Sequence, residues 1–301
     1  MNQTYTFDGC TIRDLNVVVP DIKAGGAEPR PGTLGSAALL IDRSKQAEAV
    51  RASLKRLRAE DGRRPPLLVV LPGPAHGNHG SFVARFGTHD LRRVLRDEEQ
   101  EDCCDYLQCM DWPTSNKIDD ILGPIRDLLC LPSQCDDPTE FKKRLGGELP
   151  KSLCFGHRVT PAVWSEQGDL VREWVDFVCD EWPQPANRHM VVAFLLIELP
   201  ATTGIFGSWR ARALNHFVST LEKRMDTDPR IVVAPRLGMI ERKDVDFWIT
   251  SLKTLCGDDH SLVYGAQPLP EHLFGGNVKQ RTFSDVYAEL HSFLSRATRT
   301  Q

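Results

Sequence analysis

Apolar residues in this chain follow two rhythms. From about residue 41 onward, short continuous apolar runs alternate with longer stretches in which apolar positions recur every three or four residues. Residues 67–71 form one such run, flanked by Pro65-Pro66 and Pro72. Residues 190–197 form the longest, within a strand expected over 190–199, and residues 231–234 another. Runs of this length suit strands buried on both faces of a parallel sheet. Residues 261–264 read as a last short strand.

The helical rhythm fills the gaps. Val50, Leu54 and Leu57 fall on one face behind a cap at Asp42 or Ser44, and Asp61-Gly62 stops that helix. Phe82, Phe86, Leu91 and Leu95 predict a helix from Ser81. Residues 117–130 have helical spacing but contain Gly123-Pro124, which predicts two short helices. Residues 132–152 are polar and turn-rich. Residues 169–179 turn Leu170, Trp174 and Phe177 inward. Ser208 caps a long helix carrying Trp209, Ala213, Phe217 and Leu221. Asp244 opens a helix with Val245, Trp248, Ile249 and Leu252, and Ser284 caps the last, with Val286, Leu290 and Leu294 inward. Strands separated by helix-length segments require crossover connections. The expected fold is therefore α/β, three-layered, with a mainly parallel sheet and helices on both faces.

Residues 1–40 differ: residues 17–19 suggest a short strand, and residues 24–32 are rich in Gly and Pro. They read as an N-terminal extension to a domain over 41–298. At 301 residues the chain suits one large α/β domain with an appendage. Its net charge of −4 gives no bulk support for binding nucleic acid. Its longest apolar run falls well short of the ~20 residues of a membrane span. Residues 1–9 lack a secretory pattern. Nine cysteines, an odd number, then point to reduced thiols and a cytoplasmic location.

The chemistry-bearing stretch is an apolar strand, a Gly-rich turn and a helix start. That is the context of a phosphate loop, G-x-x-x-x-G-K-[ST]. With Gly73 as the first glycine, Asn78 stands at the second, His79 at the lysine and Gly80 at the hydroxyl residue. A neutral imidazole does not replace an ammonium beside a triphosphate. The acid expected after a buried strand is represented by Glu198.

Here the chain resembles the inactive STAND domains of bacterial conflict and signalling systems. Their signature G-P-x-x-x-x-H-x-x-F-x-x-R is matched by Gly73, Pro74, His79, Phe82 and Arg85. Upstream, Asp42-Arg43-Ser44-x-Gln46 resembles the family's D-R-x-x-Q entry. Downstream, the Trp174 and Phe177 face, Glu181-Trp182-Pro183 and the run 191–197 resemble it too, with Trp112-Pro113 as a further W-P pair. The resemblance spans about residues 41–298. It implies a P-loop NTPase-like fold without the activity, no cofactor or metal, and a scaffold or sensor role. The implied partner is a protein, either a separately encoded effector or a second copy of the chain. The alternative is a nucleotide-binding protein or non-standard hydrolase using His79 and Glu198, with Arg85.

Plainer readings stand beside these. His79 also suits a residue that hydrogen-bonds the turn at a helix start, Phe82 a core position, and Arg85 a solvated surface site. Cys103, Cys104 and Cys109, with Cys130 and Cys135, lack the paired C-x2-C spacing of structural zinc. Cys154 and His157 lie too close in sequence for a nucleophile and base that meet in space. The tryptophans at 174, 209 and 248 have core spacing. Arg92, Arg93 and Arg96 are balanced by Asp97, Glu98 and Glu99.

Overall fold

The computed structural model describes residues 4–7, 10–13, 41, 43–74, 79–91, 94–95, 104–113, 117–128, 138–149, 151–200, 205–256, 261–276 and 278–299. The chain divides into two compact units, residues 43–240 with 280–284, and residues 1–42 with 241–279 and 285–301. In the second unit β1 (Thr4–Phe7) and β2 (Cys10–Arg13) pair as an antiparallel hairpin.

The first unit holds the main sheet. Its strands are β3 (Leu67–Pro74), β4 (Cys104–Asp111), β5 (Ser152–Val159), β6 (Val191–Leu199) and β7 (Ile231–Val233). They lie in the order β4-β5-β6-β3-β7, and every pairing is parallel. Its helices are α1 (Ser44–Arg56), α2 (His79–Arg85, continued by a wider turn over Phe86–Asp90), α3 (Ile118–Leu128), α4 (Pro138–Leu145), α5 (Pro161–Asp176) and α6 (Ile205–Met225).

Alternate strand residues point to opposite faces, and both faces are apolar. On one, Leu67, Val69 and Leu71 of β3 join Val192, Phe194 and Leu196 of β6. They pack against Val50 and Leu54 of α1 and Phe82, Val83 and Phe86 of α2. On the other, Leu68, Val70, Phe155, Ala193, Leu195 and Ile197 pack against Ile125 of α3, Trp174 of α5 and Leu214 and Val218 of α6. Two cores on one sheet make three layers, at about 1.5–3 kcal/mol for each large apolar side chain fully buried. An added Cβ on Gly156 would meet Val83 at 3.3 Å and Phe194 at 3.4 Å, so this glycine lets α2 lie close on the sheet.

Several elements depart from the sequence expectation. Ser44 is the first helical residue of α1, not its cap. Arg43 holds the cap position and makes no side-chain cap bond there, and Asp42 lies outside the described residues. Helix α3 runs through Gly123-Pro124 unbroken, because Pro124 faces solvent while Ile121, Leu122 and Ile125 anchor the other side. The polar stretch before residue 152 contains α4, and β4 and β5 are additional strands. Helix α5 starts early, where Thr160 accepts the Val163 N–H at 3.2 Å and Pro161 takes the first turn. Its periodicity is broken at Gln167, whose φ of −134° and ψ of 26° leave the helix.

The second unit is helical beyond residue 241: α7 (Arg242–Cys256), α8 (Ser261–Ala266), α9 (Leu269–Phe274) and α10, which spans Phe283–Arg299 and belongs to it from Asp285. Residues 261–264 are thus helix, not strand, with Leu262, Val263 and Ala266 buried at helical spacing. Asp244 sits inside α7, where its Oδ2 accepts the Glu241 N–H at 2.7 Å, the reciprocal half of a capping box. Ser284 is the second residue of α10, not its cap. Ser208 is the fourth residue of α6, not its cap, while residues 17–19, the Gly/Pro stretch 24–32 and the side chains of Ser208 and Trp209 lie outside the described residues.

Phe82 meets Phe194 edge-on, with centroids 5.9 Å apart, and fastens α2 to the sheet. Phe82→Ala will lower the free energy of unfolding by about 4 kcal/mol in urea denaturation. A loss under 1 kcal/mol would show that α2 is not held by this contact.

Candidate functional site

Strands β3 and β6 are neighbours, and the chain leaves them toward opposite faces. After β3 it enters α2 on one face, and after β6 it enters α6 on the other. Ligands of open α/β sheets bind at the carboxyl ends of strands where connections diverge in this way. The register places Gly73 beside Glu198 and Pro74 beside Leu199 at that point.

The local shape follows from Pro72 and Pro74. In a parallel strand, alternate residues serve opposite neighbours. Leu68 donates to Arg230 O at 2.8 Å, and Val70 O accepts from Ala234 at 2.9 Å, so even-numbered positions of β3 face β7. Pro72 and Pro74 bring no N–H to that side. The ladder therefore stops, β7 ends at Val233, and residues 234–238 leave the sheet as a strap. Leu237 returns to donate to Pro72 O at 2.8 Å.

That return closes the end of β3. An added Cβ on Gly73 would lie 2.7 Å from Leu237 Cβ and 3.0 Å from His79 Nε2. Gly73 is thus needed for close approach. Leu237 and His79 are 2% and 3% exposed, so the space over Gly73 is filled by the protein itself. His79 is the first residue of α2, and Gly80 beside it is half-buried. Asn78 lies outside the described residues.

The D-R-x-x-Q residues hold the strap in place. Gln46 Nε2 donates to Pro235 O at 3.2 Å and to Arg236 O at 3.3 Å, and Arg43 Nη1 donates to Gly238 O at 3.3 Å. Arg236 in turn donates to Asn215 Oδ1 of α6 at 2.9 Å. The fold thus joins two motifs some thirty residues apart through a third segment that sequence reasoning passed over. The readable signal was Pro235, a residue that marks a loop or a free sheet edge.

Arg85 is not a solvated surface residue. Its Nε lies 3.3 Å from Asp90 Oδ2, and both side chains are largely buried, at 11% and 9% exposure. Arg51 of α1 approaches the other carboxylate oxygen at 3.7 Å, so Asp90 bridges α1 and α2. Phe82 is core. Glu198 faces Arg158 of β5, whose Nη1 lies 3.6 Å from Oε1, a partner that sequence reasoning did not foresee. A carboxylate neutralised by a guanidinium is a poorer ligand for a divalent cation.

Cys154 and His157 lie three residues apart on β5 and face opposite sides of the sheet, so they do not meet. His157 is enclosed by Trp174 at 5.0 Å, Trp112 at 5.7 Å and Phe155 at 6.0 Å. Trp182 of the W-P turn stacks on Phe155 at 5.9 Å, and Trp174 stacks on Phe177 at the same distance. The tryptophans of both W-P pairs therefore converge on one aromatic core. Of the cysteines in the weighed zinc reading, Cys103, Cys130 and Cys135 lie outside the described residues, as do Arg92, Arg93 and Arg96. No protein-family model matches the chain, and no curated protein matches it.

Burial lowers the His157 pKa from 6.5 to about 3. Below the unfolded value the unfolded chain binds a proton that the folded chain refuses. Stability is full above about pH 6.5 and falls toward pH 3, by about 1.4 kcal/mol per pH unit from this residue. His157→Phe will remove one proton from the slope of stability against pH between 6 and 4, read by urea denaturation. An unchanged slope would place the charge uptake elsewhere.

Proposed function

We propose that this chain is a P-loop NTPase-like domain of the inactive STAND type, a non-catalytic scaffold or sensor in a bacterial signalling or defence system. It acts in the cytoplasm by binding a protein, either a separately encoded effector or a second copy of itself. The observation that carries this reading is the filling of the space over Gly73 by Leu237 and His79. A working phosphate loop needs that space for phosphate, a lysine to neutralise it and a hydroxyl for Mg²⁺. Here the lysine position carries a buried imidazole, and the nearby acid is paired with Arg158.

The topology supports the fold part of the proposal. Counted along the chain from β3, the sheet order is 2-3-4-1-5, with the loop-bearing strand between the fourth and fifth. Among the described residues no helix is long and apolar enough to cross a membrane. No group of three or more His, Cys, Asp or Glu that could hold a metal ion is found among them either.

Calorimetric titration of the purified chain with ATP, GTP and ADP in the presence of Mg²⁺ tests the proposal. No saturable heat at millimolar nucleotide is expected for wild type or for His79→Ala. Saturable binding or hydrolysis that disappears in His79→Ala would contradict a non-catalytic scaffold and favour the nucleotide-using alternative.

A further inference from the structure

Within the α/β unit, exposed charge of opposite sign collects at two separate places. Five cations stand exposed around the turn from α1 into β3: Lys55, Arg56, Arg58, Arg63 and Arg188. Lys55 and Arg56 suit a helix end, but the other three lie beyond it. Two acids stand among them, Glu60 and Asp61. Arg63 Nε donates to Asp61 Oδ2 at 2.6 Å and Arg188 Nε to Asp61 O at 3.0 Å, which gathers these two cations at one turn. The patch carries a net charge of +3 on a chain whose total is −4. Elsewhere, α5 borders a groove of about 440 Å³ where the helix breaks at Gln167. Three carboxylates line it, Glu166, Asp169 and Glu173, against one cation, Arg172. That guanidinium lies 4.8 Å over the Trp164 ring and donates to Asp169 Oδ1 at 2.5 Å. Gln167 Oε1 is buried and accepts no hydrogen bond from the described residues. The groove is thus rich in acceptors and short of donors.

We propose that the basic patch at the end of α1 docks into the α5 groove of a second copy of the chain, so that copies stack head to tail. The inference rests on the protein-binding role proposed above and selects between its two partners. Guanidinium groups bring several N–H donors in a planar fork, which suits carboxylates and an amide oxygen alike. The chain therefore carries both halves of a charge-matched contact. Helices α1 and α5 pack on opposite faces of the sheet, so the patch and the groove of one chain do not meet each other. Between copies the contact joins unlike surfaces. It leaves a patch at one end and a groove at the other, and so propagates instead of closing as a two-fold dimer. Contacts made mainly of exposed charge are weak and screened by salt, so the stacking depends on concentration and ionic strength.

Sedimentation velocity on the full chain, up to about 100 µM and at about 50 mM and about 500 mM NaCl, tests the stacking. The wild-type mass is expected to rise with concentration at low salt and to return to that of one chain at high salt. Glu166→Lys with Glu173→Lys, and Lys55→Glu with Arg58→Glu, are each expected to stay monomeric alone, with circular dichroism confirming that they fold. Mixed in equal amounts, the two variants match reversed groove to reversed patch and are expected to associate again. If a reversal does not fold, Glu173→Gln and Arg58→Gln replace it and are expected to raise the dissociation constant about threefold or more. A wild-type chain that stays monomeric at low salt would overturn the stacking. So would variants that associate as wild type does, a mixture that stays monomeric, or a wild-type dimer that grows no further. None of these outcomes alters the nucleotide titration, so the stacking and the non-catalytic reading fail separately.

Discussion

Pro72 and Pro74 offer no N–H on the side of β3 that faces β7, and the shape of the strand end follows from that lack. A sheet edge without donors cannot extend its ladder. Strand β7 therefore stops after three residues, and the chain beyond it is free to cross over Gly73. Gly73 lacks a side chain where the strap must approach, and Leu237 and His79 take the space. Three residues in a row thus end one strand, admit a strap and close the place where an open α/β sheet binds its ligand.

Charge at this end is organised around the same closure. Asp90 neutralises Arg85 and draws in Arg51, which ties α1 to α2 on one face of the sheet. Glu198, opposite Gly73 in register, is matched by Arg158 from the next strand. The largely buried Arg85–Asp90 pair is costly to leave half-made, while Arg158 is 41% exposed and its pairing with Glu198 is worth less. Both pairs favour a fixed, closed arrangement over one that waits for an anion and its metal. Arg43 and Gln46 work differently. They spend their donors on backbone carbonyls of the strap, and so fix the position of a segment that has no regular structure of its own.

Most of the helices, though not α4, α8 or α9, and the three most apolar core strands were legible in the sequence because their side chains repeat with a clear period. β4 and β5 were not. β5 carries Gly156, His157 and Arg158 inside a strand, and each answers to a tertiary demand: room for Val83, a place in the aromatic box, a partner for Glu198. A buried strand that serves its neighbours in this way loses the apolar run that would announce it. Pro124 misled in the opposite sense, since a helix anchored by three buried side chains accepts a proline on its exposed face. The motif residues were visible as a set, but their purpose was not. Nothing local in Asp42-Arg43-Ser44-x-Gln46 says that two of its side chains hold a strap almost two hundred residues away.

The closure of the strand end by the chain itself is best tested by a double-mutant cycle between Gly73→Ala and Leu237→Gly, read as free energies of unfolding in urea. If Leu237 fills the space over Gly73, Gly73→Ala costs about 2 kcal/mol or more in the wild-type background and under about 1 kcal/mol once Leu237 is reduced to glycine. An equal cost in both backgrounds, or no cost in either, would mean that the space is open and that the loop end is not closed as described.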